Sequence, residues 1–253
     1  MLGFSMNNMV MGDAIDTILA MTGAVQSRQI CFVNAHCSNV ASGDAIYLAT
    51  LRESTFVFAD GIGVKLGCKI LNQRVRDNIN GTDLFPLLCA AMAPLGKRLY
   101  LLGAKPDVAE EVAEWVRSHH PGVVIAGTRH GYFSKEDEPG VIAAIREAHP
   151  DVLCVALGVP HQDVWIHDHL QDLGAKVAMG VGGLFDFYSG RIPRAPRWMR
   201  RSGLEWIYRL VQEPRRMWRR YLVGNATFFA RIFRQKLIGP PPHEGGAGKE
   251  TGS

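Results

Sequence analysis

The chain has 253 residues, of which 47% are hydrophobic and 21% are charged, and its formal net charge is +4. A chain of this size can form one large α/β domain, or a domain with an appendage, around a sizeable core. Its longest apolar run, around residues 152–160, is about half as long as a membrane-spanning helix. The first residues lack the basic and then apolar pattern of a signal peptide. We therefore expect a protein that does not cross a membrane.

The five cysteines are scattered and odd in number. They form no CxxC pair and no zinc-type spacing, so they predict structural thiols in a reduced, cytosolic protein. His161, His167 and His169 cluster in the sequence but match no metal-binding pattern and cannot all share one helical face. We interpret them as solvated or packing side chains, and we predict neither a metal site nor a cofactor.

The predicted elements alternate between strands and helices that short links join. In chain order they are a helix at 14–21, a strand at 30–33, a helix at 39–50, a strand at 55–59, helices at 64–71 and 83–93, a strand at 98–102, a helix at 106–118, a strand at 123–126, a helix at 138–148, a strand at 151–156, a helix from about Pro160 to 173, and a strand at 176–180. Thr82 is the predicted N-cap of the helix at 83–93. This alternation predicts an α/β fold with a doubly wound, mostly parallel, Rossmann-like sheet.

The composition changes after Arg191. Residues 191–236 hold 13 Lys/Arg and 2 Asp/Glu, a net charge of +11, which leaves −7 for the rest of the chain. Large apolar residues are interleaved with arginines, and Pro214 interrupts the helical pattern. This pattern is typical of a basic, amphipathic helical segment at an anionic membrane surface. Nucleic acid would also attract the arginines, but the interleaved apolar residues favour the membrane. Packing of the apolar face on the body or on a sister subunit is the remaining alternative.

The predicted organisation therefore has three parts. An α/β domain with the candidate catalytic residues spans 1–190, a membrane-associating helical appendage spans 191–238, and a disordered tail spans 239–253.

Asp60 follows the predicted strand at 55–59 and precedes Gly61 and Gly63. A carboxylate at a strand end faces the crevice where parallel sheets bind ligands, so it can act as a general base. The alternative is that Asp60 only caps the following helix. The two glycines are a weak phosphate signal, because the full GxGxxG fingerprint is absent.

The turn after the strand at 151–156 is a second candidate site. Gly158 permits a sharp turn or a close approach to a ligand, and Pro160 fixes φ near the helix start. Gln162 then offers both a donor and an acceptor, which suits the edge of a base or an amide. The alternative is that Gln162 only caps the helix.

Two further turns complete the candidate site. Thr82 and Asp83 open a helix whose N-terminus would favour phosphate, although Asp83 would repel phosphate unless it binds a hydroxyl group. The Gly182-Gly183 pair allows a close backbone approach to a ligand. A simple cap and a plain turn are the respective alternatives.

An ordered set of segments resembles the WecG/TagA/CpsF family of bacterial glycosyltransferases (glycosyltransferase family 26). The segments, spread over roughly residues 5–235, are Asn34-Ala35, Ala59-Asp60-Gly61-Ile62-Gly63, Gly81-Thr82-Asp83-Leu84, Leu101-Leu102-Gly103, Gly158-Val159-Pro160-His161-Gln162-Asp163, Gly180-Val181-Gly182-Gly183-Leu184-Phe185-Asp186, Arg194-Ala195-Pro196, Gly203-Leu204-Glu205-Trp206, Tyr208-Arg209-Leu210, Glu213-Pro214 and Arg220-Tyr221. No single segment is decisive, but the ordered set is specific.

The resemblance implies an inverting, metal-independent transfer of a sugar from a UDP-sugar to a polyprenyl-diphosphate-linked acceptor. The enzyme would be cytoplasmic and peripheral on the inner face of the cell membrane, and it would serve cell-surface or exopolysaccharide biosynthesis. In the family the aspartate of the D-G-x-G motif is the proposed general base, which assigns catalysis to Asp60. The glutamine of the P-x-Q-E motif is placed near uracil, which assigns that role to Gln162.

The resemblance and the strand-end positions together define a substrate-binding set. Its members in the α/β domain are Asn34, Gly61, Gly63, Thr82, Asp83, Gly103, Gly158, Gln162, Gly182 and Gly183. The appendage is expected to close over the site and to hold the diphosphate with some of four arginines, namely Arg209, Arg216, Arg219 and Arg220.

The chain departs from the family pattern in three places, and these leave the donor sugar open. Phe32 replaces a common threonine, residues 77–80 replace a common arginine before the Gly-x-Asp helix, and Asp163 replaces the glutamate of P-x-Q-E. N-acetylmannosamine is the best-known donor of the family, and a uronic acid or another hexose is the alternative. The oligomeric state is also open, with a homo-oligomer as one alternative.

Two other functions compete with this interpretation. One is a non-catalytic nucleotide-binding α/β protein whose basic tail docks on a partner or on nucleic acid. The other is a Rossmann-type enzyme that modifies a nucleotide-sugar, against which the chain lacks both GxGxxG and a Tyr-x-x-x-Lys pair. We expect no nucleic-acid partner.

Overall fold

A computed structural model describes residues 1–239, and its centre is a six-stranded sheet. The strands are β1 (Arg28–Val33), β2 (Phe56–Ala59), β3 (Arg98–Gly103), β4 (Val124–Arg129), β5 (Val152–Ala156) and β6 (Val177–Gly180). All neighbouring strands pair in parallel, in the order β2-β1-β6-β5-β3-β4. The predicted parallel, Rossmann-like α/β fold is thus confirmed.

Thirteen α-helices are found within the described residues. They are α1 (Met11–Met21), α2 (Ala35–Ala41), α3 (Ala45–Glu53), α4 (Ile62–Ile70), α5 (Gly81–Met92), α6 (Val108–His119), α7 (Glu138–Glu147), α8 (His161–His169), α9 (Leu184–Tyr188), α10 (Arg197–Arg201), α11 (Glu205–Gln212), α12 (Pro214–Trp218) and α13 (Gly224–Ile238). A short 3-10 helix follows α5, and a π-helical turn at Arg219–Val223 joins α12 to α13.

Helices cover both faces of the sheet because side chains alternate along each strand. In β1, Ile30 and Phe32 pack into the apolar cluster with α1, α5, α6 and α9. Cys31 and Val33 point to the opposite face, where α2, α3, α4 and α13 cover them. Helices α7 and α8 cover the other half of that second face. All five cysteines are buried and unpaired.

The strand register brings the carboxyl ends of the strands to one edge. Val33 of β1 lies beside Ala59 of β2, and Gly103 of β3 lies beside Ala156 of β5. Gly180, the last residue of β6, pairs with Cys31 of β1. The turns that follow these strands therefore converge, which is where a parallel sheet binds its ligands.

Two local predictions are wrong in detail. The helix expected at 39–50 is two helices, because Asp44 caps a new helix by accepting a hydrogen bond from the Tyr47 amide at 2.9 Å. The N-cap of α5 is Asn80 rather than Thr82, since the Asn80 side chain accepts from the Asp83 amide at 2.7 Å. In both places a short polar side chain, Asp44 or Asn80, caps a helix that begins where the sequence analysis did not expect a start.

The C-terminal helices wrap from the cleft edge back onto the body. Phe228 and Ile232 of α13 are fully buried in the cluster with α2 and α4. Gly67 of α4 makes this packing close, because a Cβ atom there would lie 2.9 Å from the Phe228 ring. The predicted division at residue 190 stays a prediction, and of the predicted tail only Gly239 lies within the described residues. No helix within residues 1–239 is long and apolar enough to span a bilayer.

Candidate active site

A cleft of about 1320 Å³ opens at the carboxyl edge of the sheet. The turns after the strands form its floor, and helices α10–α13 form its outer wall. Most of the predicted site residues line it, namely Asn34, Asp60, Gly61, Gly63, Thr82, Asp83, Gly158, Gln162, Gly182, Gly183, Arg209, Arg216 and Arg220. Gly103 and Arg219 do not.

Asp60 stands directly after β2, and its backbone is fixed to β1 by a bond from its N–H to the Val33 carbonyl at 3.0 Å. It is not a helix cap, because α4 begins after Gly61 without a side-chain capping bond. Burial raises the pKa of the Asp60 carboxyl to about 6, against the opposing effects of a hydrogen bond from Asn34 and the charge of Arg220. The carboxylate is thus held at a strand end with the pKa of a general base that works near neutral pH.

Asn34 orients this carboxylate. Its Oδ1 accepts from the Cys37 amide at 3.1 Å and so caps α2. Its side chain also lies near the Asp60 carboxyl group and lowers the pKa of that group. With Oδ1 occupied by the cap, the Nδ2 donor is the group available to the carboxylate.

Gln162 has a different environment from the one that its sequence position implies. Its Oε1 accepts from the Gly158 amide at 3.2 Å and from the Gly182 amide at 3.0 Å. Its side chain also bonds Asp163, and only 2% of the residue is exposed. Gln162 therefore ties the turn after β5 to the turn after β6, and both glycines have positive φ, as such turns require. The expected contact of Gln162 with uracil stays a prediction.

Asp163 lies behind the cleft and supports Gln162. It is fully buried, and Tyr47 donates its hydroxyl to Oδ2 at 3.2 Å. Gln29 donates to its backbone carbonyl at 2.7 Å. Burial raises the pKa of the Asp163 carboxyl to about 7. At Gly180 a Cβ atom would overlap Asp163 Oδ1, so only glycine fits opposite this carboxyl group.

Asp83 connects the floor of the cleft to the C-terminal wall. Its Oδ1 lies 2.9 Å from Arg194 Nη2 and 3.3 Å from Arg200 Nη1. Burial alone would raise its pKa, but the bond from Asn80 and the two arginine charges lower the pKa below its usual value. Asp83 is therefore ionised and pairs with the C-terminal wall. The sequence analysis had considered only hydroxyl binding or a simple helix cap for this residue.

The four predicted arginines separate in space. Arg209 packs against Gly183 and Phe187 and lies 3.9 Å from Asp186. Arg216 pairs with Glu213 at 2.9 Å, while its side chain is 61% exposed. Arg220 lies close enough to Asp60 and His36 for its charge to lower the pKa of both.

Arg219 is directed elsewhere, with its guanidinium 5.4 Å from the Trp218 ring centre. Gly103 lies behind the cleft, since a Cβ atom there would meet the backbone of Ala156. It serves strand packing in the structure, and its expected role in substrate binding stays a prediction.

Several residues that line the cleft were not among the predicted site residues. They are His36, Lys105, Tyr132, Trp206 and Tyr221. Burial and then the charge of Arg220 lower the pKa of His36 to about 4, so this histidine is neutral at pH 7. Tyr132 is 68% exposed in the loop after β4, and an aromatic residue in the loop that follows a predicted strand is the sequence signal that could have identified it. Within the described part of the chain, no group of three or more His, Cys, Asp or Glu residues is arranged to hold a metal ion.

A parallel α/β sheet whose strand-end turns bring a carboxylate, paired glycine turns and arginines into one cleft is the arrangement of a ligand-binding α/β protein. The family model for the glycosyl transferase WecG/TagA/CpsF family matches residues 1–241 of this chain. The chain belongs to this family and is a glycosyltransferase, which confirms the resemblance carried by its ordered motifs.

Two curated relatives share much of the chain. One, from Bacillus subtilis strain 168, is 40% identical over 193 residues, which cover 76% of this chain and 74% of the relative. The other, from Bacillus spizizenii, is 36% identical over 204 residues, which cover 81% of this chain and 78% of the relative. Both are named N-acetylglucosaminyldiphosphoundecaprenol N-acetyl-beta-D-mannosaminyltransferase.

Proposed function

We propose that this enzyme transfers N-acetylmannosamine, or a closely related hexose or uronic acid, from a UDP-sugar to a polyprenyl-diphosphate-linked N-acetylglucosamine. The acceptor and the first-named sugar come from the names of the two relatives. The observation that carries the chemistry is the Asp60 carboxyl group. It lies in the cleft, it is bonded by Asn34, and burial raises its pKa to about 6.

The reaction proposed is a single displacement with inversion at the anomeric carbon. A hydroxyl oxygen of the acceptor attacks that carbon, its proton passes to the Asp60 carboxylate, and the bond between the sugar and UDP breaks on the opposite face. Asn34 holds the carboxylate in place, since its side-chain amide is fixed by the cap of α2.

The charge that develops on the departing UDP requires stabilisation. The Gly182-Gly183 turn offers a close backbone approach, and the Arg209 guanidinium lies against Gly183. Arg216 and Arg220 line the same cleft. Prearranged positive charge in a partly enclosed cleft stabilises a leaving diphosphate strongly. Arg209, Arg216 and Arg220 are therefore the proposed diphosphate ligands.

The proposed place of action is the inner face of the cell membrane. Trp218, Leu222 and Val223 are 44%, 55% and 53% exposed on consecutive turns of the C-terminal wall. Arg215 and Arg219 are exposed on the same turns. Exposed apolar side chains beside arginines are what binding to an anionic lipid surface requires, and the acceptor is itself a membrane lipid.

A panel of radiolabelled UDP-sugars tests the proposal directly. The acceptor is polyprenyl-diphosphate N-acetylglucosamine in anionic vesicles, and the enzymes are the full chain, Asp60→Asn and the control Asp16→Asn on the exposed face of α1. We expect transfer from one donor, loss of about 10²-fold or more in kcat for Asp60→Asn, and no change in the control. Turnover of Asp60→Asn near that of the wild type would refute the assignment of the base.

A further inference from the structure

A second cavity lies beside the active-site cleft. This groove has a volume of about 550 Å³ and opens on the surface between α2 and the C-terminal wall. Its lining residues are His36, Asn39, Val40, Arg216, Met217, Arg219, Arg220, Val223, Gly224, Thr227 and Arg231. We call it the arginine groove. Arg219 and Arg231 line it without lining the catalytic cleft.

The arginine groove carries an excess of positive charge. Four of its lining residues are arginines, and none is an aspartate or glutamate. Arg216 is paired with Glu213, whereas Arg219, Arg220 and Arg231 have no carboxylate within ion-pair distance among residues 1–239. The Arg219 and Arg231 guanidinium groups, which lie outside the cleft of Asp60, therefore form a favourable place for an anion with several acceptor oxygens.

The structure also holds part of the groove rigid. Arg231 donates from Nη1 to the carbonyl and to the side-chain oxygen of Asn39, at 3.0 Å each. Asn39 in turn donates to the Gly224 carbonyl at 2.7 Å. One edge of the Arg231 guanidinium is thereby fixed, and its other donors are left for a ligand.

The rim of the groove is apolar and exposed. The π-helical turn Arg219–Val223 forms one wall, and such turns are frequent at functional sites. Val223, which lines the groove, is 53% exposed, and Trp218 and Leu222, its neighbours in the chain, are 44% and 55% exposed. A free inorganic anion would gain nothing from this rim, whereas the acyl region next to a lipid headgroup would.

We propose that the arginine groove binds the headgroup phosphate of an anionic phospholipid, apart from the substrate diphosphate. Arg219 and Arg231 are its principal ligands, and Trp218 and Leu222 enter the lipid beside it. This inference rests on the proposed membrane association for the kind of ligand but needs no catalytic activity. A lipid bound here fixes the orientation of the enzyme, so that the adjoining cleft meets the membrane that supplies its acceptor.

The test compares two double variants of the full chain that lose the same charge. Arg219→Ala/Arg231→Ala removes the two groove ligands. The control, Arg215→Ala/Arg234→Ala, removes two exposed arginines of α12 and α13 that do not line the groove. The probe is dihexanoyl phosphatidylglycerol below its micelle concentration, titrated by calorimetry, with inorganic phosphate as a second probe. The KM for a short-chain, water-soluble acceptor is measured in parallel.

We expect the groove variant to bind the short-chain phospholipid about tenfold or more weakly than the wild type, since it loses charge-assisted hydrogen bonds. The control variant should stay within about threefold of the wild type, phosphate should bind more weakly than the phospholipid, and the acceptor KM should not change. Equal losses in the two variants would overturn the proposal, because they would show non-specific attraction only. A raised acceptor KM with unchanged phospholipid binding would also overturn it and would assign the groove to the substrate.

The same experiment checks that each variant is folded. Arg231 ties α13 to α2, so the thermal unfolding of each variant is recorded. Arg219→Ala alone is the second variant, because Arg219 is exposed and its guanidinium lies over the neighbouring Trp218 ring. This single variant should weaken phospholipid binding with an unchanged unfolding temperature, and unchanged binding would count against the site. A chain that binds phospholipid but transfers no sugar would refute the proposed function while leaving the groove in place.

Discussion

Asp60 shows how a single residue acquires its chemistry from its neighbours. Burial disfavours the carboxylate and raises its pKa to about 6, while Asn34 and Arg220 act in the opposite direction. The result is a carboxyl group that is ionised at neutral pH and yet basic enough to accept a proton from a hydroxyl group in the transition state.

The pH dependence of kcat/KM should report this carboxyl group. The ionised form is the base, so kcat/KM should rise with pH and level off above an inflection near 6. Arg220→Gln removes a charge that lowers the pKa of Asp60, so it should move the inflection to higher pH, whatever it does to the maximal rate. Arg215→Gln is the control and should leave the inflection in place. An unchanged or lower inflection in Arg220→Gln would show that Asp60 is not the group observed.

Gln162→Ala separates the two roles considered for Gln162. It removes the acceptor of the Gly158 and Gly182 amides, so the free energy of unfolding should fall by about 1–3 kcal/mol and the donor KM should rise. The measurements are chemical denaturation and donor-dependent kinetics, with the exposed Gln171→Ala as control. A raised donor KM at unchanged stability would instead favour direct recognition of the uracil.

At the scale of the elements, the docking of α13 on α4 determines where the wall of the cleft lies. Phe228 fits against Gly67 so closely that no larger residue is accommodated without movement of the ring. Phe229 of α13 and Tyr221 of the preceding π-helical turn thereby reach the cleft edge. This contact is between elements more than 150 residues apart in the chain.

Gly67→Leu should therefore destabilise the protein, by about 1–3 kcal/mol, because its side chain overlaps the Phe228 ring. Gly12→Leu on α1 is the matched control, since a Cβ atom there meets nothing within 4 Å. Denaturant unfolding of the single variants and of Gly67→Leu/Phe228→Ala forms a double-mutant cycle. The substitution at 67 should cost less when Phe228 is absent, and purely additive effects would contradict the packing argument.

At the scale of the whole molecule, charge and exposed apolar surface collect on the C-terminal wall. Part of that wall packs on the body through Phe228, Ile232 and Met217, which are buried. Another part remains exposed, including Trp218 and Leu222. Packing on the body is thus observed for one face of the segment, and membrane binding by its exposed face stays a prediction. Removing the whole segment would also uncover the body, so substitutions on the exposed face test membrane binding more cleanly.

Trp218→Ser/Leu222→Ser should weaken binding to anionic vesicles about tenfold or more, because large apolar side chains leave the lipid interface. Val25→Ser/Ile46→Ser is the control, since these residues are 95% and 68% exposed on the body. Cosedimentation with vesicles gives the affinities, and added salt should weaken the binding of wild type and control. Equal losses from both pairs would contradict the assignment of the membrane face.

The sequence by itself determined the order and type of most elements and the residues that end the strands. These follow from local properties, namely the alternation of apolar residues, glycine turns and helix-capping side chains. It also located Asp60, the two glycine turns and the basic segment. The local errors lie at helix starts, where Asp44 begins an unexpected new helix and Asn80 caps α5 instead of Thr82.

Only the tertiary structure decided which of these residues meet. The order of the strands places Gly158 beside Gly182, so that one Gln162 oxygen binds both turns. Asp83 pairs with arginines more than 110 positions away in the chain. Arg220 lines the cleft, whereas its neighbour Arg219 does not. The pKa of Asp60 is likewise a product of burial by distant elements. Such contacts depend on chain closure over long sequence separations, which no local pattern encodes.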